Sequence, residues 1–252
     1  ACGRLDPDRI ASIVTGIARA CEATGTALVG GETAEHPGLL APQEYDVAGA
    51  VTGVVEYEDV LGAHRVQDGD ALVAMGSSGL HSNGFSLVRR IVERAGWSLT
   101  DDVAEFGRPL GAELLEPTRL YTGVCLELAA GLPVHAFSHV TGGGLAANLA
   151  RVLPAGLNAV VDRGTWALPT VMAVLARAGQ VPGPDLEQTF NLGVGMVAVL
   201  PADAASRAVD TCERAGIPAW VCGHVTTDDM PDAIRGAKGV DGGGVLLAGQ
   251  FQ

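Results

Sequence analysis

Three glycine-rich segments, each set directly behind a short apolar run, constrain this chain more than any other feature. They are Gly30-Gly31-Glu32-Thr33-Ala34-Glu35, Gly76-Ser77-Ser78-Gly79-Leu80-His81-Ser82-Asn83-Gly84 and His139-Val140-Thr141-Gly142-Gly143-Gly144. A strand that ends in a glycine loop and continues as an amphipathic helix is the building unit of a layered α/β fold. The unit recurs after Asp68-Gly69-Asp70 marks a turn. Strands are expected at Ala71–Met75, Val134–Ser138, Asn158–Val161, Gly193–Leu200, Ala219–Val225 and Gly244–Leu247. Helices are expected at Phe85–Ala95, Thr118–Ala130, Leu145–Leu153, Pro169–Ala178 and Ala202–Ala215. The loops also account for composition: 35 glycines in 252 residues are roughly twice ordinary usage, with no collagen-like period or Gly/Ser linker to absorb them.

The first 57 residues read differently. Asp6 and Pro7 form an N-cap and first helical position, Ile10, Ile13, Val14, Ile17 and Cys21 recur at helical spacing over Arg9–Glu22, and Gly25 is a stop signal. A short strand is expected at Thr26–Val29 and a longer one at Tyr45–Val55. Both faces of the latter are nearly free of charge, so it should be buried on both sides. One helix and two strands are too little to cover it. Sequence upstream of residue 1, a partner subunit, or both are therefore expected. The domain boundary is placed at residues 64 and 65, giving a two-domain chain of mixed α/β (α+β) class, with a complete layered domain over 65–252. Residues 96–116 read as an acidic, irregular surface excursion, and Gly242-Gly243-Gly244 as a simple hairpin or loop.

Sixteen Lys and Arg against 29 Asp and Glu leave a formal charge of −13, which argues against nucleic acid or an anionic membrane surface as partner. No apolar run approaches a membrane span, and no signal pattern opens the chain. Five scattered cysteines without C-x-x-C spacing suggest neither a disulfide framework nor a zinc site, and fit a reducing cytoplasm. Any phosphate must be held locally.

The second and third glycine segments are suited to that task. A strand, a glycine turn and a helix start aim backbone N–H groups and the positive helix end at one point. Ser77, Ser78, Ser82 and Ser86 offer hydroxyls, and Asn83 is placed to cap the following helix. His81 and His139 stand at equivalent positions beside the two loops. The same residues also satisfy a plain tight turn with an N-cap. Glu32, beside Gly30 and Gly31, is favoured over Glu35 as a magnesium ligand, since Mg²⁺ takes one or two carboxylates plus phosphate oxygens. Asn191, in Thr189–Met196, is placed either to face a ligand or to satisfy buried backbone. No G-x-S-x-G elbow, H-E-x-x-H motif or Cys/His pair is present, which points to chemistry by positioning and electrostatics.

GGETAE at Gly30–Glu35, YDVAG at Tyr45–Gly49, GSSGLHSNGFSLVR at Gly76–Arg89, HVTGGG at His139–Gly144, RVLP at Arg151–Pro154 and TFNLGVGM at Thr189–Met196 occur in order. Together they closely resemble the aminoimidazole ribonucleotide synthetase (cyclo-ligase) family, over nearly the whole chain. The resemblance implies a homodimer whose N-terminal, β-rich domain, incomplete here, pairs with that of a second subunit and covers Tyr45–Val55. It implies a ligase of purine biosynthesis that uses ATP and magnesium on a small phosphorylated substrate. Gly79, Ser82, Asn83, Gly84, Ser86, Thr141, Gly142, Gly143 and Asn191 would line the substrate site, His81 or His139 would act as acid or base, and Glu32 would bind the metal. Family members carry roughly a hundred further upstream residues, in keeping with ordinary domain sizes. These include a D-G-V-G-T-K-like segment and an aspartate-bearing strand. A related kinase or amidine-forming enzyme, or a non-catalytic binding or dimerisation fragment, are the alternatives.

Overall fold

The computed structural model describes residues 1–235 and 242–252. It falls into two compact units, Ala1–Val60 and Leu61–Gln252.

The first unit holds one long helix, α1 (Pro7–Thr24). Its start is the expected one, the Asp6 carboxylate accepting from the Arg9 N–H, and Gly25 closes it at φ 66°. No residue of α1 is buried. Cys2 is clamped by bridges to Glu35 and Tyr45, and the Glu35 carboxylate accepts from the Leu5 N–H. The two strands expected here do not form: among the described residues, neither Thr26–Val29 nor Tyr45–Val55 enters a ladder beyond the single Cys2–Tyr45 bridge. A strand exists only through its hydrogen-bonded neighbour, and this unit supplies none. Val51 and Val54 are accordingly 83 % and 96 % exposed, not buried as expected, and Val29 is 94 % exposed.

The second unit is built on a seven-stranded sheet. In chain order its elements are β1 (Ala71–Gly76), α2 (Phe85–Ala95), the short hairpin β2 (Asp102–Val103) and β3 (Arg108–Pro109), α3 (Leu110–Leu114), α4 (Thr122–Gly131), β4 (Ala136–His139), α5 (Gly144–Leu149), β5 (Asn158–Asp162), α6 (Thr170–Gly179), α7 (Gly183–Thr189), β6 (Val194–Leu200), α8 (Ala205–Arg214), β7 (Ala219–Thr226), β8 (Ile234–Arg235) and β9 (Gly244–Ala248). The strand order is β4-β6-β1-β7-β5-β9-β8, antiparallel throughout except for the β5–β9 pair.

Period-two alternation divides the core. On β1, Leu72 and Ala74 enter one apolar cluster with α2, α3, α5, α6 and α7, while Ala71, Val73 and Met75 enter the other with α4 and α8. Every β1 residue is buried, as a central strand between two helical layers must be.

Three expectations need correction. Residues 96–116 are not irregular: Leu99 and Asp101 hydrogen-bond Gly111 and Leu110, and α3 buries Leu110 and Leu114 in the core. The helix expected from Thr118 starts at Thr122, because the preceding segment is used elsewhere (below). Gly242 and Gly243 do lie in a loop, with Gly244 opening β9, but the loop is tightly packed: a Cβ on Gly242 or Gly243 would lie 2.6 Å from the Ala150 oxygen or 1.6 Å from the Leu157 oxygen.

Candidate functional site

The register of the sheet gathers the glycine loops. Gly76, at the end of β1, pairs with Val194 at the start of β6, and His139, at the end of β4, pairs with Met196. Both loops therefore leave the same end of the sheet, on either side of β6. They meet there: a Cβ on Gly142 would lie 3.6 Å from the Asn83 Oδ1. Both also press on the segment before β6. A Cβ on Gly84 (φ 80°) would strike the Phe190 ring at 2.5 Å, and one on Gly144 (φ 77°) the Glu187 oxygen at 1.8 Å. These two positions need glycine for conformation and for space alike.

Each loop is organised by a buried asparagine. Asn191 donates to the Gly79 oxygen at 2.9 Å and the Leu80 oxygen at 3.3 Å, and its Oδ1 accepts from the Gly193 N–H at 2.8 Å and the Ser77 hydroxyl at 3.2 Å. Its polar atoms are consumed within the loop, so it shapes the site rather than facing a ligand. Asn148 does the same for the other loop, donating to the oxygens of Thr141, Gly142 and Gly144 at 3.2, 3.3 and 2.7 Å. Drawing carbonyls inward turns the opposite face of the peptide units outward. Among the described residues, the N–H groups of Gly79 to Asn83 and of Thr141 to Gly143 donate to no backbone carbonyl. The loops thus keep backbone N–H groups without a backbone acceptor, the kind of donor that binds an anion.

His81 sits at the tip of the first loop with φ 59°, a region that non-glycine residues rarely enter. Its Nε2 accepts from the Ser78 N–H at 3.1 Å, and the side chain is buried, with Nδ1 unpartnered. Burial first, then the neighbouring His139 and Arg119, lower its pKa from 6.5 to about 4. His81 is therefore neutral near pH 7. His139 is exposed, so of the two histidines it is the one a ligand reaches.

A third wall comes from Pro117–Tyr121, where a continuous helix was expected. The Ser78 hydroxyl donates to the Pro117 oxygen at 2.6 Å, Ser82 and Thr118 hydroxyls meet at 3.5 Å, and Tyr121 donates to the Gly76 oxygen at 2.8 Å. Tyr121 lies with its ring 6.2 Å from His81 and 6.5 Å from His139, above Gly195. Burial raises its phenol far above the ordinary 10, so it remains a donor.

Ser82, Asn83, Ser86, Gly142 and Gly143 lie at this end of the sheet with Gly79, Gly84 and Thr141. Asn83 does not cap α2; Gly84 occupies the cap position in a left-handed conformation, with no side-chain cap bond. Glu32 belongs to the first unit, where it is exposed and follows no strand. Asn148, Arg119 and Tyr121 were not singled out from the sequence. Nothing local in the sequence sets Asn148 or Arg119 apart from an ordinary residue of its type.

The AIR synthase related protein C-terminal domain matches residues 67–235, and the corresponding N-terminal domain residues 1–55. A phosphoribosylformylglycinamidine cyclo-ligase of Sorangium cellulosum (strain So ce56) is 48 % identical over 235 residues, covering 92 % of this chain and 68 % of the relative. The chain belongs to the AIR synthase family. Members of wider fold relation include a thiamine-monophosphate kinase from Stenotrophomonas maltophilia K279a (TM-score 0.52, 20 % identity, 79 % of this chain and 56 % of that one). A hydrogenase maturation protein HypE in complex with ATP also superposes (TM-score 0.57, 20 % identity, 88 % of this chain and 61 % of that one). The chain thus spans 56 % to 68 % of the length of these three proteins. At such identities the two structures support the architecture alone, a mixed α/β fold in agreement with the sequence. Three of the six ordered motifs, at Gly76–Arg89, His139–Gly144 and Thr189–Met196, fall on the loops and the β6 segment just described.

Proposed function

We propose that the two glycine loops form the substrate cradle of an ATP-dependent cyclo-ligase of purine biosynthesis. The reaction converts formylglycinamidine ribonucleotide and ATP to aminoimidazole ribonucleotide, ADP and phosphate. The observation that carries the reading is the convergence of two asparagine-braced glycine loops at one end of the sheet, in a chain 48 % identical to a cyclo-ligase.

The chemistry asks for an anchored phosphate and a guarded carbonyl. The formamide oxygen attacks the γ-phosphorus of ATP, ADP leaves, and the activated carbon is then attacked by the substrate's own amidine nitrogen. The carbon–oxygen bond breaks, phosphate departs and the imidazole ring closes. The attacking nitrogen loses a proton, and the exposed His139 is the acceptor within the cleft. His81 cannot share this role, because its Nε2 is occupied and its Nδ1 is sealed from solvent. It holds the loop tip. Ser82, Asn83, Ser86 and the N–H groups of Gly79, Gly142 and Gly143 bind substrate phosphate and ribose, with Thr141 beside them. No covalent intermediate on the enzyme is needed.

ATP supplies the phosphoryl group and magnesium its counter-charge. No group of three metal-ligating side chains occurs among the described residues, and Glu32 contributes one exposed carboxylate. With one carboxylate, the rest of a magnesium shell would have to come from phosphate oxygens and water. Glu32 is retained as a proposed single ligand, and no step above runs through the metal. No described helix is long and apolar enough to cross a membrane; a cytoplasmic setting is part of the proposal through the biosynthetic family of the relative.

The test is direct: supply ATP, Mg²⁺ and formylglycinamidine ribonucleotide to the chain extended to the length of its relatives, and assay aminoimidazole ribonucleotide. Product that depends on His139 is expected. Absence of product, with phosphate transferred to another phosphorylated substrate, would replace the reading by that of a related kinase.

A further inference from the structure

A buried guanidinium N–H without a partner makes one arginine conspicuous. Arg9, Arg108, Arg163, Arg177 and Arg214 pair with carboxylates, whereas exposed arginines such as Arg89, Arg90 and Arg94 make no such pair among the described residues and have water instead. Arg119 makes no such pair among the described residues. Its side chain is half-buried, its Nη1 donates to the Gly216 oxygen at 3.3 Å, and its Nε is buried without a partner. Leaving a guanidinium N–H buried and unmatched costs free energy that a bound acceptor would return.

Its surroundings say which acceptor. Arg119 lies in the Pro117–Tyr121 wall, which Ser78, Ser82 and Tyr121 stitch to the first glycine loop. Its positive charge is felt at both His81 and Tyr121. The loop stitched to this wall carries N–H groups, Gly79 to Asn83, that donate to no backbone carbonyl among the described residues, and no described carboxylate pairs with Arg119. Glu116, the nearest acid in sequence, is engaged by Arg108 at 2.7 Å. A guanidinium with an unmatched donor beside a loop whose N–H groups lack backbone partners is suited to a phosphate oxygen.

We propose that Arg119 is the cationic clamp for a phosphate monoester held by the first glycine loop, acting with the loop N–H groups. The proposal rests on the cyclo-ligase reading only for the identity of the molecule that carries the phosphate: the ribose phosphate of the substrate or a phosphate of ATP. The phosphate chemistry is shared.

Two measurements test it. In ¹⁵N-histidine-labelled chain, titration with inorganic phosphate is followed at the His81 and His139 ring resonances, which needs no turnover. Saturable shifts are expected in the wild type, weakened about tenfold or more in Arg119→Gln and partly restored in Arg119→Lys, which keeps the charge but loses the fork. Kinetics of the extended enzyme then separate the sources. A raised KM for the ribonucleotide with KM for ATP unchanged assigns the clamp to the substrate, and the reverse assigns it to the nucleotide. The proposal is overturned if the wild type shows no saturable phosphate response, or if Arg119→Gln and Arg119→Lys melt lower while binding phosphate as the wild type does. The second outcome makes Arg119 a brace for Gly216. If phosphate binds as expected but no aminoimidazole product forms, the cyclo-ligase reading fails and the clamp stands.

Discussion

His81 combines a left-handed backbone with a buried, neutral ring, and each property predicts something different. Asn tolerates positive φ better than other side chains and its Oδ1 can accept from the Ser78 N–H as Nε2 does. His81→Asn is therefore expected to keep the loop and most activity, whereas His139→Gln should lower kcat by about 10²-fold or more, as loss of a proton acceptor does. Steady-state rates of both variants decide; equal inactivation with unchanged melting would contradict the division of roles. The depressed pKa also has a linkage consequence. Unfolded histidine near 6.5 binds a proton that the folded residue, at about 4, refuses, so the unfolded state takes up more protons within that window. The contribution of His81 to stability is complete above pH 6.5 and is lost as pH falls toward 4. Urea titrations at pH 7 and 5 should show that loss in the wild type and a smaller one in His81→Asn.

At the scale of elements, the sheet and its loops depend on places where no side chain fits. Gly195 on β6 faces Tyr121, and a Cβ there would lie 1.9 Å from the phenol oxygen and 2.8 Å from His81 Cε1. Gly195→Ala should displace Tyr121 from the Gly76 oxygen and destabilise by about 1–3 kcal/mol, the usual cost of overpacking. The added mutation Tyr121→Phe should recover part of that loss, measured by chemical denaturation, because it removes the colliding oxygen. For the loops, Asn148→Ala would strand three carbonyls and is expected to cost about 1–3 kcal/mol and to weaken substrate binding together. An unchanged affinity at reduced stability would detach the loop's shape from its task. Strands β1, β6 and β7 and helices α2 and α6 were legible because apolar runs and glycine or proline boundaries agree there. Residues 110–114 were not, since one helical turn carries too short a pattern to register, and Pro117–Tyr121 was misread because its apolar and helix-compatible residues serve tertiary contacts. The position of His81, Ser82 and the triple glycine in loops at strand ends was legible from spacing. Arg119 and Asn148 were not, because nothing local distinguishes a clamping arginine or a bracing asparagine from an ordinary one.

At the scale of the whole molecule, the Leu61–Gln252 unit carries both apolar clusters, while the first unit exposes much of its apolar surface. Val47, Val51, Val54 and Val55 lie open on one segment, and Val14 and Ile17 on α1. An exposed apolar run of this kind marks an association surface. We propose that it is covered by the same region of a second subunit, so that the sequence-based expectation of a doubly buried strand is met only in a homodimer. Val51→Asp with Val54→Asp should then shift sedimentation from dimer to monomer without lowering the melting temperature of the second unit; a monomeric wild type would refute this.

That unit also holds all three tryptophans, Trp97, Trp166 and Trp220, and the last two lie with ring centroids 5.7 Å apart while Phe251 lies 5.4 Å from Trp166. Intrinsic emission excited at the red edge of the band is consequently a reporter of one unit and blind to the other. An unfolding curve followed by tryptophan light will register the collapse of the sheet, whereas far-ultraviolet ellipticity will also register the melting of α1. Any separation between the two curves is a direct optical reading of how independently the halves of this chain come apart.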